Sequence, residues 1–111
     1  MLVIRTAQWE AMRRARTDEF HRKIARMVQA DRPEWRRGQL DDSIEIASWM
    51  RQRAASYGVF LAEDILRFVR FVIRYGRDYE TRADMAWANR ILNDLSLMGP
   101  QKLDELERRS R

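Results

Sequence analysis

Apolar positions recur along most of this chain at helical spacing, and the recurrence breaks at a few fixed places. Two breaks share one form, Tyr57-Gly58 and Tyr75-Gly76. Glycine just past a run of helix formers ends a helix, because it takes the left-handed conformation without steric cost. Residues 59–74, between the two, are the most apolar stretch present. The spacing predicts helix, glycine, central helix, glycine.

The remaining elements follow the same logic. Leu2-Val3-Ile4 reads as part of an extended arm over residues 1–5, with Thr6 as a helix N-cap. Over residues 7–30, Trp9, Met12, Phe20, Ile24, Met27 and Val28 fall on one helical face. Pro33 ends that run, since the residue before proline is pushed out of helix. Residues 33–40 read as a loop carrying Trp35 and Gly38. A second helix starts at Asp41 or Asp42 and runs to Tyr57, burying Ile46, Ala47, Met50, Ala54 and Tyr57. The third, about 62–75, confines Glu63, Arg67, Arg70 and Arg74 to one narrow stripe, and nearly everything else in it is apolar. Such a helix is expected to be surrounded by protein, at the hub of the fold. Thr81 and Asp84 have the spacing of a capping pair for a fourth helix. Its expected buried face is Met85, Trp87, Ala88, Ile91, Leu92 and Leu95. Gly99-Pro100 opens a short last helix, docked by Leu103 and Leu106, and residues 107–111 read as a frayed tail. The expectation is an all-α protein: one compact domain of about five helices around a central apolar one.

Composition narrows the function classes. A chain of 111 residues, 45% hydrophobic, suits one domain with one core. With no cysteine, disulfides and thiolate metal sites are excluded. No apolar run approaches the ~20 residues of a membrane span, and the first six residues turn polar too soon for a signal-peptide core. A cytoplasmic protein is the expectation. The net charge of +5 is lodged in residues 1–40, which hold ten basic and five acidic groups; residues 41–111 hold twelve of each.

Enzyme chemistry finds little to work with. His21 is the one histidine and there is no cysteine, so a histidine-rich metal site and a thiol nucleophile are both unavailable. No nucleophile elbow, phosphate loop or dinucleotide fingerprint occurs. The carboxylate pairs Asp41-Asp42 and Glu63-Asp64 sit at helix starts, where the helix dipole favours negative charge. The reading is a protein that is not an enzyme, with no cofactor and no metal.

Binding is better supported. Arg16, Arg22, Lys23 and Arg26 flank the first helix, which admits a nucleic-acid patch. Glu10 and Arg14, Asp18 and Arg22, and Glu19 and Lys23 have stabilising i,i+4 spacing, and so favour a solvated, paired face instead. Trp49 falls off the core stripe, beside Arg53, and Trp35 sits in a polar loop next to Arg36 and Arg37. Aromatics and arginine on a polar surface are typical interface anchors. Trp35, Arg36, Arg37, Trp49 and Arg53 are therefore the candidate partner-binding residues, for a larger protein or a homodimer.

The order of motifs resembles a known group. Val3-Ile4-Arg5 with Gln8 opens it, followed by Ala55-Ser56-Tyr57-Gly58-Val59, Glu63-Asp64 and Phe68-Val69-Arg70-Phe71. Tyr75-Gly76-Arg77-Asp78-Tyr79, Trp87-Ala88-Asn89-Arg90-Ile91-Leu92 and Pro100-Gln101-Lys102-Leu103 complete it. The chain resembles small helical bacterial proteins encoded alongside spike and effector genes of type VI secretion systems. The resemblance implies an adaptor or chaperone that holds an effector or helps load it on the spike. Rival readings are a small basic nucleic-acid-binding regulator and an immunity protein against a secreted toxin.

Overall fold

A computed structural model describes the backbone of residues 2–35 and 40–110 and the side chains of residues 8–35 and 44–110. The protein is all-α, with five α-helices and no strand among the described residues. The helices are α1 (Leu2–Asp31), α2 (Leu40–Ser56), α3 (Ala62–Tyr75), α4 (Ala86–Leu92) and α5 (Gly99–Arg109). Single 3-10 turns occupy Pro33–Trp35, Tyr79–Thr81 and Ala83–Met85. The chain divides into two compact units, Met1–Ser48 and Trp49–Arg111, with the boundary inside α2.

In the first unit α1 begins at Leu2, so residues 2–5 are helical and not an extended arm. Thr6 lies inside the helix and does not cap it. The stretch holds neither glycine nor proline, and a β-branched residue costs a helix only about half a kcal/mol. The helix stops at Asp31, two residues before Pro33. Its buried side chains are Ile24, Ala25 and Val28; α2 contributes Ile46 and Ala47. Trp9 and Met12, expected in the core, are exposed, Trp9 at 57%. At about 100° per residue, Trp9 lies at the margin of the face centred on the buried Ile24, Ala25 and Val28, and Met12 lies farther round the helix, on its exposed side.

The second unit is built around α3, where Ile65, Phe68, Val69, Phe71, Val72 and Ile73 are all buried. Met50, Ala54 and Tyr57 of the preceding helix are buried, as the stripe required. Both glycine stops hold: Gly58 and Gly76 have φ of +79° and +104°. At the first, Val59 N–H donates to Ala54 O at 2.9 Å and Gly58 N–H to Ala55 O at 3.0 Å. This paired closure satisfies carbonyls the helix end would leave open.

Two expectations at α4 and one at α5 are corrected. Thr81 Oγ1 donates to Asp78 O at 2.8 Å, while Asp84 receives Arg82. They form no capping pair, because 3-10 turns precede α4 and change the register. The helix ends at Leu92, so Leu95 lies in the following loop, 97% exposed. The α5 helix continues through Arg109, held by the Glu105–Arg108 ion pair and the Ser110 N–H bond to Leu106 O, so the tail is helical beyond 107.

Candidate interaction site

Of the sequence-predicted contact residues, Trp35 lies in the first unit and Trp49 and Arg53 in the second. Arg36 and Arg37 lie outside the described residues. Trp35 closes a 3-10 turn, half-buried, with the Arg32 guanidinium 5.6 Å from its ring centroid. Trp49 is also half-buried, and Arg77, from the turn after α3, lies 5.1 Å from its ring. Arg53 is already engaged inside its unit. It donates from Nε to Glu80 Oε1 at 2.5 Å, pairs again through Nη2, and lies 5.7 Å from the Tyr57 ring. Arg53 thus ties α2 to the turn at Glu80 and offers a partner only its remaining exposed edge.

The exposed apolar side chains are elsewhere. On α1, residues 8–23 include no buried side chain, and Trp9 and Met12 are both exposed. Glu10 and Arg14 approach to 3.9 Å, and the Asp18–Arg22 and Glu19–Lys23 pairs do not form. Their spacing permits contact, but exposed side chains gain too little to hold it. Arg13, Arg16, Arg22, Lys23 and Arg26 are exposed with no ion pair among the described residues. Phe60 and Leu61, between α2 and α3, and Leu95 and Met98, between α4 and α5, are exposed as well.

The strongest polar constellation is structural in geometry. Arg67 donates from Nη1 to Asp64 Oδ1 (3.1 Å), from Nη2 to Asp104 Oδ1 (2.5 Å), and through Nε and Nη2 to both Glu107 oxygens (2.7 and 3.0 Å). The bond to Glu107 raises its proton affinity furthest, against an opposing effect of burial. A groove beside it, of about 180 Å³, is lined by Arg70, Phe71, Tyr75, Leu103, Leu106 and Glu107. Small-molecule sites hold roughly 300–1,000 Å³, so this groove suits at most one side chain.

Titration points the same way. Hydrogen bonds from Arg82, Ser96 and Arg108 hold the Asp84, Asp94 and Glu105 carboxyls below their ordinary range. A general acid or base needs its proton affinity moved toward neutrality, which is the opposite direction for a carboxyl. Among the described residues no three His, Asp or Glu side chains gather as a metal site. No helix there is long and apolar enough to cross a membrane.

The sequence reading missed Lys102, which is buried, with Nζ donating to Tyr57 O at 2.7 Å and Leu92 O at 2.8 Å. It closes the C-terminal ends of α2 and α4 with one cation, where the helix dipoles favour positive charge. The available signal was one of only two lysines in an arginine-rich chain, one residue before the docking Leu103. Comparison with family models, curated proteins and solved structures finds no match to this chain.

Proposed function

We propose that this chain is a non-catalytic, cytoplasmic accessory factor, an adaptor or chaperone for a type VI secretion effector or spike protein. The observation that carries the reading is α1: a helix of 30 residues whose positions 8–23 include no buried residue while Trp9 and Met12 stand exposed. Burying such side chains against a partner is worth about 1.5–3 kcal/mol each. The resemblance of the motif order to small secretion-locus proteins supports this choice of partner. Trp35 and Trp49 keep part of their rings exposed and extend the set of aromatic anchors.

The test is reconstitution with type VI secretion spike and effector proteins. The expected result is co-purification at near-equal amounts. The W9A/M12A variant should lose at least tenfold in affinity, with smaller losses for Trp35→Ala and Trp49→Ala. Recovery of the chain alone would overturn the reading. A nucleic-acid-binding regulator is the second reading, favoured by the exposed Arg13, Arg16, Arg22, Lys23 and Arg26 of α1, which form no ion pair among the described residues. It requires a DNA or RNA shift at low salt whose affinity falls steeply as salt rises.

A further inference from the structure

Four large apolar side chains are exposed on two loops that the fold ties together. Phe60 (71% exposed) and Leu61 belong to the α2–α3 loop, Leu95 and Met98 (72%) to the α4–α5 loop. Gly99 sits so close to the first loop that a Cβ there would lie 2.7 Å from Gly58 O and 3.3 Å from Val59 Cα. Lys102 bonds the last carbonyls on both sides, Tyr57 O and Leu92 O. Each loop is also fixed internally: Val59 N–H to Ala54 O in one, Leu97 N–H to Asp94 O and Met98 N–H to Gln101 Oε1 in the other. The four side chains therefore extend from a pre-organised base, which lowers the ordering cost of binding.

The charge of this end is unlike the rest of the protein. Residues 58–63 and 93–101 carry Glu63 and Asp94 and no base, in a chain with 22 basic residues. Both acids are exposed. The Ser96 amide and hydroxyl both bond Asp94 Oδ1, at 2.9 and 2.6 Å, and so fix that carboxylate in place. An apolar centre with an acidic rim repels nucleic acid and complements a cationic, amphipathic segment.

We infer that the loop end formed by Phe60, Leu61, Leu95 and Met98, rimmed by Glu63 and Asp94, docks a protein segment presenting a large apolar side chain flanked by lysine or arginine. It is a binding surface of the second unit, built from other residues than the α1 face, and rests on no part of the adaptor reading.

The probe is a phage-displayed library of 16-residue random peptides, panned against the full-length protein and counter-selected against the F60S/L95S variant. The expected consensus has one or two large apolar residues and at least two Lys or Arg. A synthetic consensus peptide should bind the E63K/D94K variant at least tenfold more weakly, and weaken with salt. All substituted side chains are exposed, but D94K also removes the Asp94–Ser96 bonds, so circular dichroism and the thermal midpoint are measured for each variant, and binding lost with the fold retained separates loss of the surface from loss of fold. An acidic or uncharged consensus, no enrichment sensitive to F60S/L95S, or a concentration-dependent dimer abolished by that variant would each overturn the assignment. The last outcome would make a second copy the occupant. These results are independent of capture of a secretion protein, so the two readings can fail separately.

Discussion

Single residues decide how the helix ends of the second unit are closed. Lys102 is buried with two carbonyl acceptors and no carboxylate near enough to pair with it. Charge-assisted hydrogen bonds contribute about 1.5–3 kcal/mol each, partly offset by the cost of burying the cation. Lys102→Met should lower unfolding free energy by about 2–4 kcal/mol on the same scale, measured by urea titration. Gly58 and Gly99 are constrained for different reasons. Gly58 has a left-handed backbone with open space around it; Gly99 has no room for a Cβ. Alanine at either should cost about 1–3 kcal/mol. Asparagine, which tolerates the left-handed region, should recover much of the loss at 58 and none at 99. Equal behaviour of the two asparagine variants would refute this assignment.

Tyr79 gives the protein an alkaline limit. Its ring is buried, and burial, aided by the neighbouring Tyr57 hydroxyl, pushes the phenol above its ordinary 10.0. The folded state keeps this proton while the unfolded chain releases it, so the unfolded state binds fewer protons above that value. Stability therefore falls as pH rises beyond about 10. Urea titrations from pH 8 to 11 should show that fall, with a shallower slope in Tyr79→Phe. Identical slopes would remove Tyr79 as the cause.

At the scale of elements, Arg67 joins α3 to α5. Its partners lie on both helices, Asp64 buried and Asp104 and Glu107 exposed. Removing the guanidinium strands Asp64, whose side chain is 5% exposed. Breaking a buried pair costs about 3–5 kcal/mol, and the exposed partners are screened by solvent, so Arg67→Met should destabilise by about 2–3 kcal/mol. Arg67→Lys should recover less than half, because an ammonium cannot reproduce the planar fork that bonds both Glu107 oxygens. Full rescue by lysine would show that charge alone suffices. The aromatic set of Phe71, Tyr75, Tyr79 and Trp87 backs the same helix, with Phe71 edge-on to Tyr79 at 5.2 Å and to Trp87 at 6.4 Å.

Across the whole molecule, burial and exposure separate stability from binding. The Trp9 and Met12 side chains stabilise nothing within their unit, so W9A/M12A should change unfolding free energy by no more than about 0.5 kcal/mol. The same variant is the one expected to lose the secretion partner. A large drop in the thermal midpoint would mean that the face is covered in the folded monomer. Basic charge concentrates on α1 and is absent from the loop end of the second unit, so partners of opposite character are expected at the two places.

The local code was legible in the residues themselves. Glycine at 58 and 76, proline at 33 and 100, and the apolar periods of the second and third helices set which segments are helical, because those preferences act within a few residues. The period also set Trp9 at the margin of the face around Ile24. It could not say that nothing covers Trp9, since burial depends on atoms far along the chain. For the same reason Trp49 and Arg53 read as surface anchors, whereas Arg77 and Glu80 engage them after the chain turns back. The 3-10 turns before α4, the closure of two helix ends by Lys102, and the meeting of two apolar loops at Gly99 belong to the tertiary structure alone. Each joins groups ten or more residues apart or shifts a helical register, and local sequence has no means of specifying either.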